Sequence, residues 1–135
     1  MIKLRNAEVK GVLEALEELG HSKASARRAA FKIARVTRQV HAQLRDWETV
    51  EKEQIRRYVE EWSIPVDQAT GTVQVREINT PEKRAAWNAL FRELADAEYE
   101  YAEVFTYADF TDEVTPEALV KLGPLVNLDV VEETE

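Results

Sequence analysis

The chain lacks cysteine, which excludes disulfide bonds, thiolate catalysis and zinc sites built on cysteine. Its 135 residues include only 4 Gly and 4 Pro, so no part of it has the composition of a flexible linker or a low-complexity segment. No apolar run approaches the ~18 residues that a membrane span requires, and "MIKLRNAEVKG" is too polar for a signal peptide. These absences predict a cytoplasmic protein with one domain of ordinary size.

Basic residues are scarce in the last third of the sequence. The formal net charge is -8, yet the charge is unevenly distributed. After Arg92, Lys121 is the only basic residue, against thirteen acids. Residues 22–45, in contrast, carry seven Lys or Arg and no acid. This asymmetry predicts that the basic stretch finds its counter-charges elsewhere.

Apolar spacing predicts an α+β fold that is mostly helical. We expect a long helical hairpin, a third helix, a small antiparallel β element and a short C-terminal helix. The helix stop and start signals at Gly20, Pro65, Thr80-Pro81-Glu82 and Thr115-Pro116-Glu117 set the bounds. The predicted helices cover 7–19, about 24–61 with a risk of a break near Trp47–Glu51, 81–97, and a short stretch after Thr115.

The remaining segments favour β structure. Residues 2–5 and 100–108 alternate as strands do, and the second strand can pair with the first or with residues 64–78. Residues 64–78 are predicted to form a β-hairpin or an irregular arm. We interpret residues 1–128 as a single helical-hairpin domain and residues 129–135 as an acidic C-terminal tail.

The basic stretch can be interpreted in three ways. On a helical projection its Lys and Arg residues lie opposite the apolar stripe, as they would on a solvated or internally paired face. The acids of the first helix or of residues 93–117 could provide those partners. An acidic protein partner could also bind here, through Arg27, Arg28, Arg35 and Arg38. Nucleic acid is the least favoured partner, because the sequence pI is about 4.9.

The distal part of the long helix is a second candidate partner-binding surface. A helix of this length extends beyond what a small domain covers. Val50 and Val59 fall off the main apolar stripe, and Tyr58 and Trp62 are aromatic residues of the kind that anchor interfaces. The alternative is that the 64–78 arm folds back over these four residues.

Two further side chains are assigned to the core. We expect Trp87 and Leu94 of the third helix to pack against the stripe that contains Ile33, Val40 and Trp47.

Catalytic and metal-binding patterns are weak. Glu18-x-x-His21 matches half of a di-iron motif whose second copy is missing. Glu48-x-x-Glu51 with Glu93-x-x-Asp96 could hold Mg²⁺ beside a polyphosphate, as in all-α nucleotide pyrophosphohydrolases. Acids three residues apart are nevertheless expected by chance in a chain with 26 of them. We therefore predict no enzyme activity, no catalytic residues, no metal and no cofactor.

One resemblance covers most of the chain. "IKLRNAEV" followed by "ALEEL", a long helix opening with "ARRAAFKIARV", and a closing "TPEALVKLGPLV" together resemble small uncharacterised proteins encoded by phages and prophages. The resemblance implies a viral accessory or assembly role in the host cytoplasm or the virion. It carries no catalytic residues. The expected function is non-catalytic protein–protein interaction, with a host or phage protein or by self-association. The alternatives are the Mg²⁺-dependent hydrolase and nucleic-acid binding through the basic helix face.

Overall fold

A computed structural model of the chain describes residues 2–128. The predicted tail, 129–135, lies outside the described residues. The predicted fold class is confirmed: the chain is a mostly helical α+β protein with a small two-stranded antiparallel sheet and a short C-terminal helix. The elements in chain order are β1 (Ile2–Arg5), α1 (Val9–His21), α2 (Ala30–Trp62), α3 (Pro81–Asp96), β2 (Glu98–Tyr101) and α4 (Pro116–Leu122).

The chain divides into two compact units. We call Met1–Leu44 with Ala97–Glu135 the terminal unit, and Arg45–Asp96 the middle unit. The helix α2 begins in the first and ends in the second. It is continuous through Trp47–Glu51, where the sequence left a break possible, and its 33 residues span about 50 Å. No helix within residues 2–128 has both the length and the apolarity of a membrane span.

The terminal unit contains the main hydrophobic core. β1 pairs antiparallel with β2, which places Ile2 opposite Tyr101 and Leu4 opposite Tyr99. One face of α1 and the first half of α2 bury their apolar residues in the same core, with Phe105 and Leu122 from the C-terminal part of the chain. The pairing of residues 2–5 with the later strand is therefore one of the two options that the sequence left open.

Three element boundaries differ from the prediction. β2 covers Glu98–Tyr101 rather than 100–108, because its partner β1 pairs with these four residues only, and residues 107–109 form a 3₁₀ turn instead. The α-helical part of α2 starts at Ala30, six residues later than predicted, because residues 24–26 pair with a distant segment instead. Ala26 N–H donates to the Asp109 carbonyl at 2.8 Å, and Thr111 N–H donates to the Ala24 carbonyl at 2.8 Å. The helix α1 continues through Gly20 to His21 rather than ending before the glycine. The long-range backbone hydrogen bonds of residues 24–26 override the local helix signal of "SKASARR".

The middle unit consists of the second half of α2, an irregular arm and α3. The arm has no hairpin strands, only an isolated bridge between Val66 and Val73 and a turn in which Gly71 has a φ of +69°. Lys83 Nζ lies 6.0 Å from the centre of the Trp62 ring, and the Tyr58 and Trp87 rings are 6.4 Å apart. The later residue of α2, Trp62, contacts the earlier residue of α3, Lys83, and the earlier residue Tyr58 contacts the later residue Trp87. The two helices therefore run antiparallel.

Trp87 and Leu94 do not occupy the predicted core. Both are partly exposed and belong to the middle unit, whereas Ile33 and Val40 belong to the core of the terminal unit. The prediction treated α2 as one continuous stripe facing one partner. In the structure its first half shares a core with α1 and its second half contacts α3.

Candidate interaction surfaces

The first half of α2 holds Lys32 against the segment that follows β2. The Lys32 Nζ atom lies 2.8 Å from an oxygen of the Asp109 carboxylate and donates to the Val104 carbonyl at 3.2 Å. Asp109 is 1% exposed, and the same oxygen accepts a hydrogen bond from the Thr106 N–H at 2.8 Å. The pair is a buried, charge-assisted contact that fastens this segment to the helix.

Arg35, one turn along the helix, pairs with Glu103. Its Nε and Nη2 atoms donate to the two carboxylate oxygens at 2.8 and 2.9 Å, the fork geometry that arginine provides. These hydrogen bonds raise the pKa of Arg35 and hold the pKa of the Glu103 carboxyl below its ordinary value. For Lys32 and Arg35, then, the counter-charges come from the acidic segment of the same chain.

The other arginines predicted to bind a partner lie on the surface of the terminal unit. Arg27 and Arg28 lie in a 3₁₀ turn just before α2, Arg38 lies within α2, and all three are exposed. Among the described residues, Arg27 and Arg38 make no ion pair. The basic surface open to an external partner is therefore smaller than the sequence suggests, since Lys32 and Arg35 are used internally.

A groove runs between α2 and α3 in the middle unit. It encloses about 390 Å³. Both helices contribute apolar side chains, two of them small alanines, together with polar side chains. We call this the α2–α3 groove, and its lining residues are Val50, Gln54, Tyr58, Ala86, Ala89, Leu90, Glu93 and Leu94.

The predicted distal residues are only partly brought together. Val50, 41% exposed, and Tyr58 line the α2–α3 groove, whereas Val59 and Trp62 do not. The Trp62 ring stacks on Tyr58 at 4.3 Å. The Val59 carbonyl accepts a hydrogen bond from Ile64 N–H at 3.0 Å, where the arm leaves the helix.

The middle unit buries few apolar side chains. Of residues 45–96, all of them described, only Ile64, Ile78 and Leu90 are buried apolar residues. Its aromatic residues are all partly exposed: Trp47, Tyr58, Trp62, Trp87 and Phe91. A unit of this size buries a smaller fraction of its surface than a larger domain does, and in this one several large apolar side chains stay accessible.

The acidic pairs considered as Mg²⁺ ligands do not form a cluster. No group of three or more His, Asp or Glu side chains in residues 2–128 is placed to hold a metal ion. This applies to Glu48 and Glu51 with Glu93 and Asp96, and to Glu18 with His21. The geometry therefore gives no observation in favour of the hydrolase alternative.

Sequence reasoning missed Gln43. This side chain is 0% exposed and joins three elements of the terminal unit. Its Nε2 atom donates to the Leu4 carbonyl at 2.9 Å and to Asn6 Oδ1 at 3.0 Å, and its Oε1 atom accepts from the Tyr101 hydroxyl at 2.7 Å. The available signal was its spacing, three residues after Val40 on the apolar side of the helix. A polar residue there requires buried partners.

Comparison of the chain with protein-family models, curated proteins and solved structures found no match.

Proposed function

We propose that the protein is a non-catalytic accessory or assembly factor, of the phage-encoded kind that its sequence resembles, and that it acts by protein–protein contact through the α2–α3 groove. The observation that carries this proposal is the sparse core of the middle unit, with only three buried apolar residues among residues 45–96 beside an open groove of mixed apolar and polar lining. Two antiparallel helices with an uncovered apolar face form a stable bundle when further helices cover that face.

A second copy of the same chain is the partner that fits this surface. A two-fold interface requires one patch that carries both a projection and the recess that receives it. In the groove the projection is Val50, 41% exposed. The recess lies at Ala86 and Ala89, whose small side chains are three residues apart and face the same groove.

The levels of these residues along the two helices match under a two-fold rotation. The contacts of Trp62 with Lys83 and of Tyr58 with Trp87 set the register of the helix pair. We place the two-fold axis that relates the two copies perpendicular to the helices, at the level of Gln54. It brings Val50 of one copy to the level of Ala86 in the other.

The same rotation brings opposite charges to similar levels along the helices. It brings the carboxylate of Glu93, which lines the groove, to the level of Arg57 in the second copy. Among the described residues of one chain, the Arg57 guanidinium makes one side-chain hydrogen bond, to the Gln54 amide oxygen at 3.5 Å, and no ion pair. Complementary charges of this kind favour one orientation of a complex over others.

The test is the association state as a function of concentration. Sedimentation velocity of the purified full chain, from the low micromolar range to concentrations about a hundredfold higher, should show a monomer–dimer equilibrium. Val50→Glu and Ala89→Glu each place a carboxylate in the apolar contact, and burying an unpaired charge is costly. Each change should weaken dimerisation at least tenfold.

The matched control is Val120→Glu, which adds the same charge at a residue of α4 that is 79% exposed in the terminal unit. It should dimerise like the unchanged chain. A chain that stays monomeric throughout the range, or a dimer that Val120→Glu weakens as much as Val50→Glu does, contradicts the proposal.

A further inference from the structure

A separate pocket in the middle unit combines positive charge with apolar walls. It has a volume of about 250 Å³ and lies between the arm and α3. Its polar groups are the guanidinium groups of two arginines and one amide. We call it the Arg76–Arg84 pocket, and it is lined by Val75, Arg76, Ile78, Arg84, Trp87 and Asn88.

The two arginines face this pocket without counter-charges. Neither Arg76 nor Arg84 makes an ion pair with any residue in the described range 2–128. Acids are not scarce nearby in the sequence, since Glu77 and Glu82 lie beside them. The chain as a whole has 26 acids for 18 basic residues. Two like charges at one pocket repel each other, and an anion bound between them would relieve this repulsion.

One of the arginines is held in position. The Nε atom of Arg84 donates to the Ile78 carbonyl at 2.9 Å. This bond orients the guanidinium and leaves its two terminal nitrogens as donors toward the pocket. Asn88 lies four residues further along α3, on the same side of the helix, and adds an amide N–H₂ donor. Arg84 is therefore oriented by the fold before any ligand arrives, which lowers the entropic cost of binding.

The walls favour an apolar, flat ligand body. The Trp87 ring is partly exposed where it lines the pocket. Val75, at the same pocket, is 52% exposed and adds accessible apolar surface. A flat ring could lie against Trp87 and cover Val75 while its anionic group meets the arginines.

The geometry points to a binding site for a small organic anion, in which a phosphate or carboxylate group is carried on a flat apolar body. Arginine forks match both oxyanions, so the two groups share the same recognition chemistry. The pocket volume limits the ligand to about the size of one ring with its acidic group. This inference is independent of the proposed dimer, because none of the lining residues contributes to the α2–α3 groove.

The experiment is an NMR titration of the ¹⁵N-labelled full chain at constant ionic strength, followed through the arginine Nε–H and tryptophan indole signals. Phenyl phosphate and benzoate separate the phosphate from the carboxylate source. Inorganic phosphate tests the anion without the ring, and phenol tests the ring without the anion. We expect saturable binding of phenyl phosphate or benzoate, with shifts at Trp87 and Arg84. Phenol and inorganic phosphate should each bind at least tenfold more weakly.

Arg76→Gln should weaken binding about tenfold, because it removes a charge-assisted hydrogen bond. It breaks no hydrogen bond or ion pair among the described residues, so its fold should be retained. Arg92→Gln, an exposed arginine of α3 outside the pocket, is the matched control and should bind normally. The inference is refuted if neither ring anion saturates the signals, if phenol binds as well as phenyl phosphate, or if Arg92→Gln reduces affinity as much as Arg76→Gln does.

Discussion

Lys32→Met is expected to destabilise the protein more than Asp109→Asn, although both changes break the same ion pair. The reason is the unequal burial of the two partners. The Lys32 side chain is 17% exposed and that of Asp109 is 2% exposed. Lys32→Met leaves a carboxylate that cannot reach water, with the Thr106 N–H as its remaining donor. Removing one partner of a buried pair in this way costs about 3–5 kcal/mol.

Asp109→Asn has a milder consequence. The new side chain keeps a carbonyl oxygen that can accept from Thr106, and the Lys32 ammonium retains the Val104 carbonyl as an acceptor at 3.2 Å. The loss is then that of one charge-assisted hydrogen bond, roughly 1.5–3 kcal/mol. The double variant should be more stable than Lys32→Met alone, because no charge is left buried without its partner.

The assay is urea unfolding followed by far-UV circular dichroism. Tryptophan fluorescence serves as a second probe, because Trp47, Trp62 and Trp87 all lie in the middle unit. Coincident curves from the two probes would justify a two-state treatment. The reasoning is refuted if Asp109→Asn costs as much as Lys32→Met, or if the double variant is less stable than either single variant.

Four further outcomes are expected. Arg35 holds the pKa of Glu103 below the ordinary 4.5. The stabilisation from that carboxylate is therefore present above pH 4.5 and is lost as the pH falls through the lowered pKa. Glu103→Gln should flatten the decline in unfolding free energy at acid pH. Burial, with a further contribution from Tyr99, raises the pKa of Tyr101 from 10.0 to about 12. This phenol should therefore stabilise the fold below pH 10 and lose that effect toward pH 12. Tyr101→Phe should reduce the loss of unfolding free energy at alkaline pH in the same measurement. Gly20→Ala, within α1, should stabilise by about 0.5–1 kcal/mol, because the added methyl group would meet no atom within 4 Å apart from its chain neighbours and the backbone of its own helix. Gly123→Ala, at φ +53°, should destabilise by about 1–3 kcal/mol in thermal or urea unfolding.

Local signals in the sequence determined the elements that depend on neighbouring residues. The start of α4 is one example: Thr115 Oγ1 accepts from the Ala118 N–H at 3.1 Å, directly before Pro116. The beginning of α3 at Pro81, the end of α2 before Pro65 and the strand character of residues 2–5 follow from the same kind of short-range information. Caps, prolines and apolar periodicity act over a few residues, so a single sequence is enough to place them.

Tertiary structure alone decided the outcomes that depend on distant residues. The backbone of residues 24–26 is held away from the helix because Asp109 and Thr111 hydrogen-bond to it, and nothing in the local sequence encodes that contact. The same holds for which acid meets which base: the sequence predicts that the basic stretch needs partners, but only the fold selects Glu103 for Arg35 and Asp109 for Lys32. The groove between α2 and α3, like the pocket beside Arg84, exists because a helix pair and an arm come together from separate parts of the sequence. Surfaces of this kind are properties of packing, which periodicity along one helix does not specify.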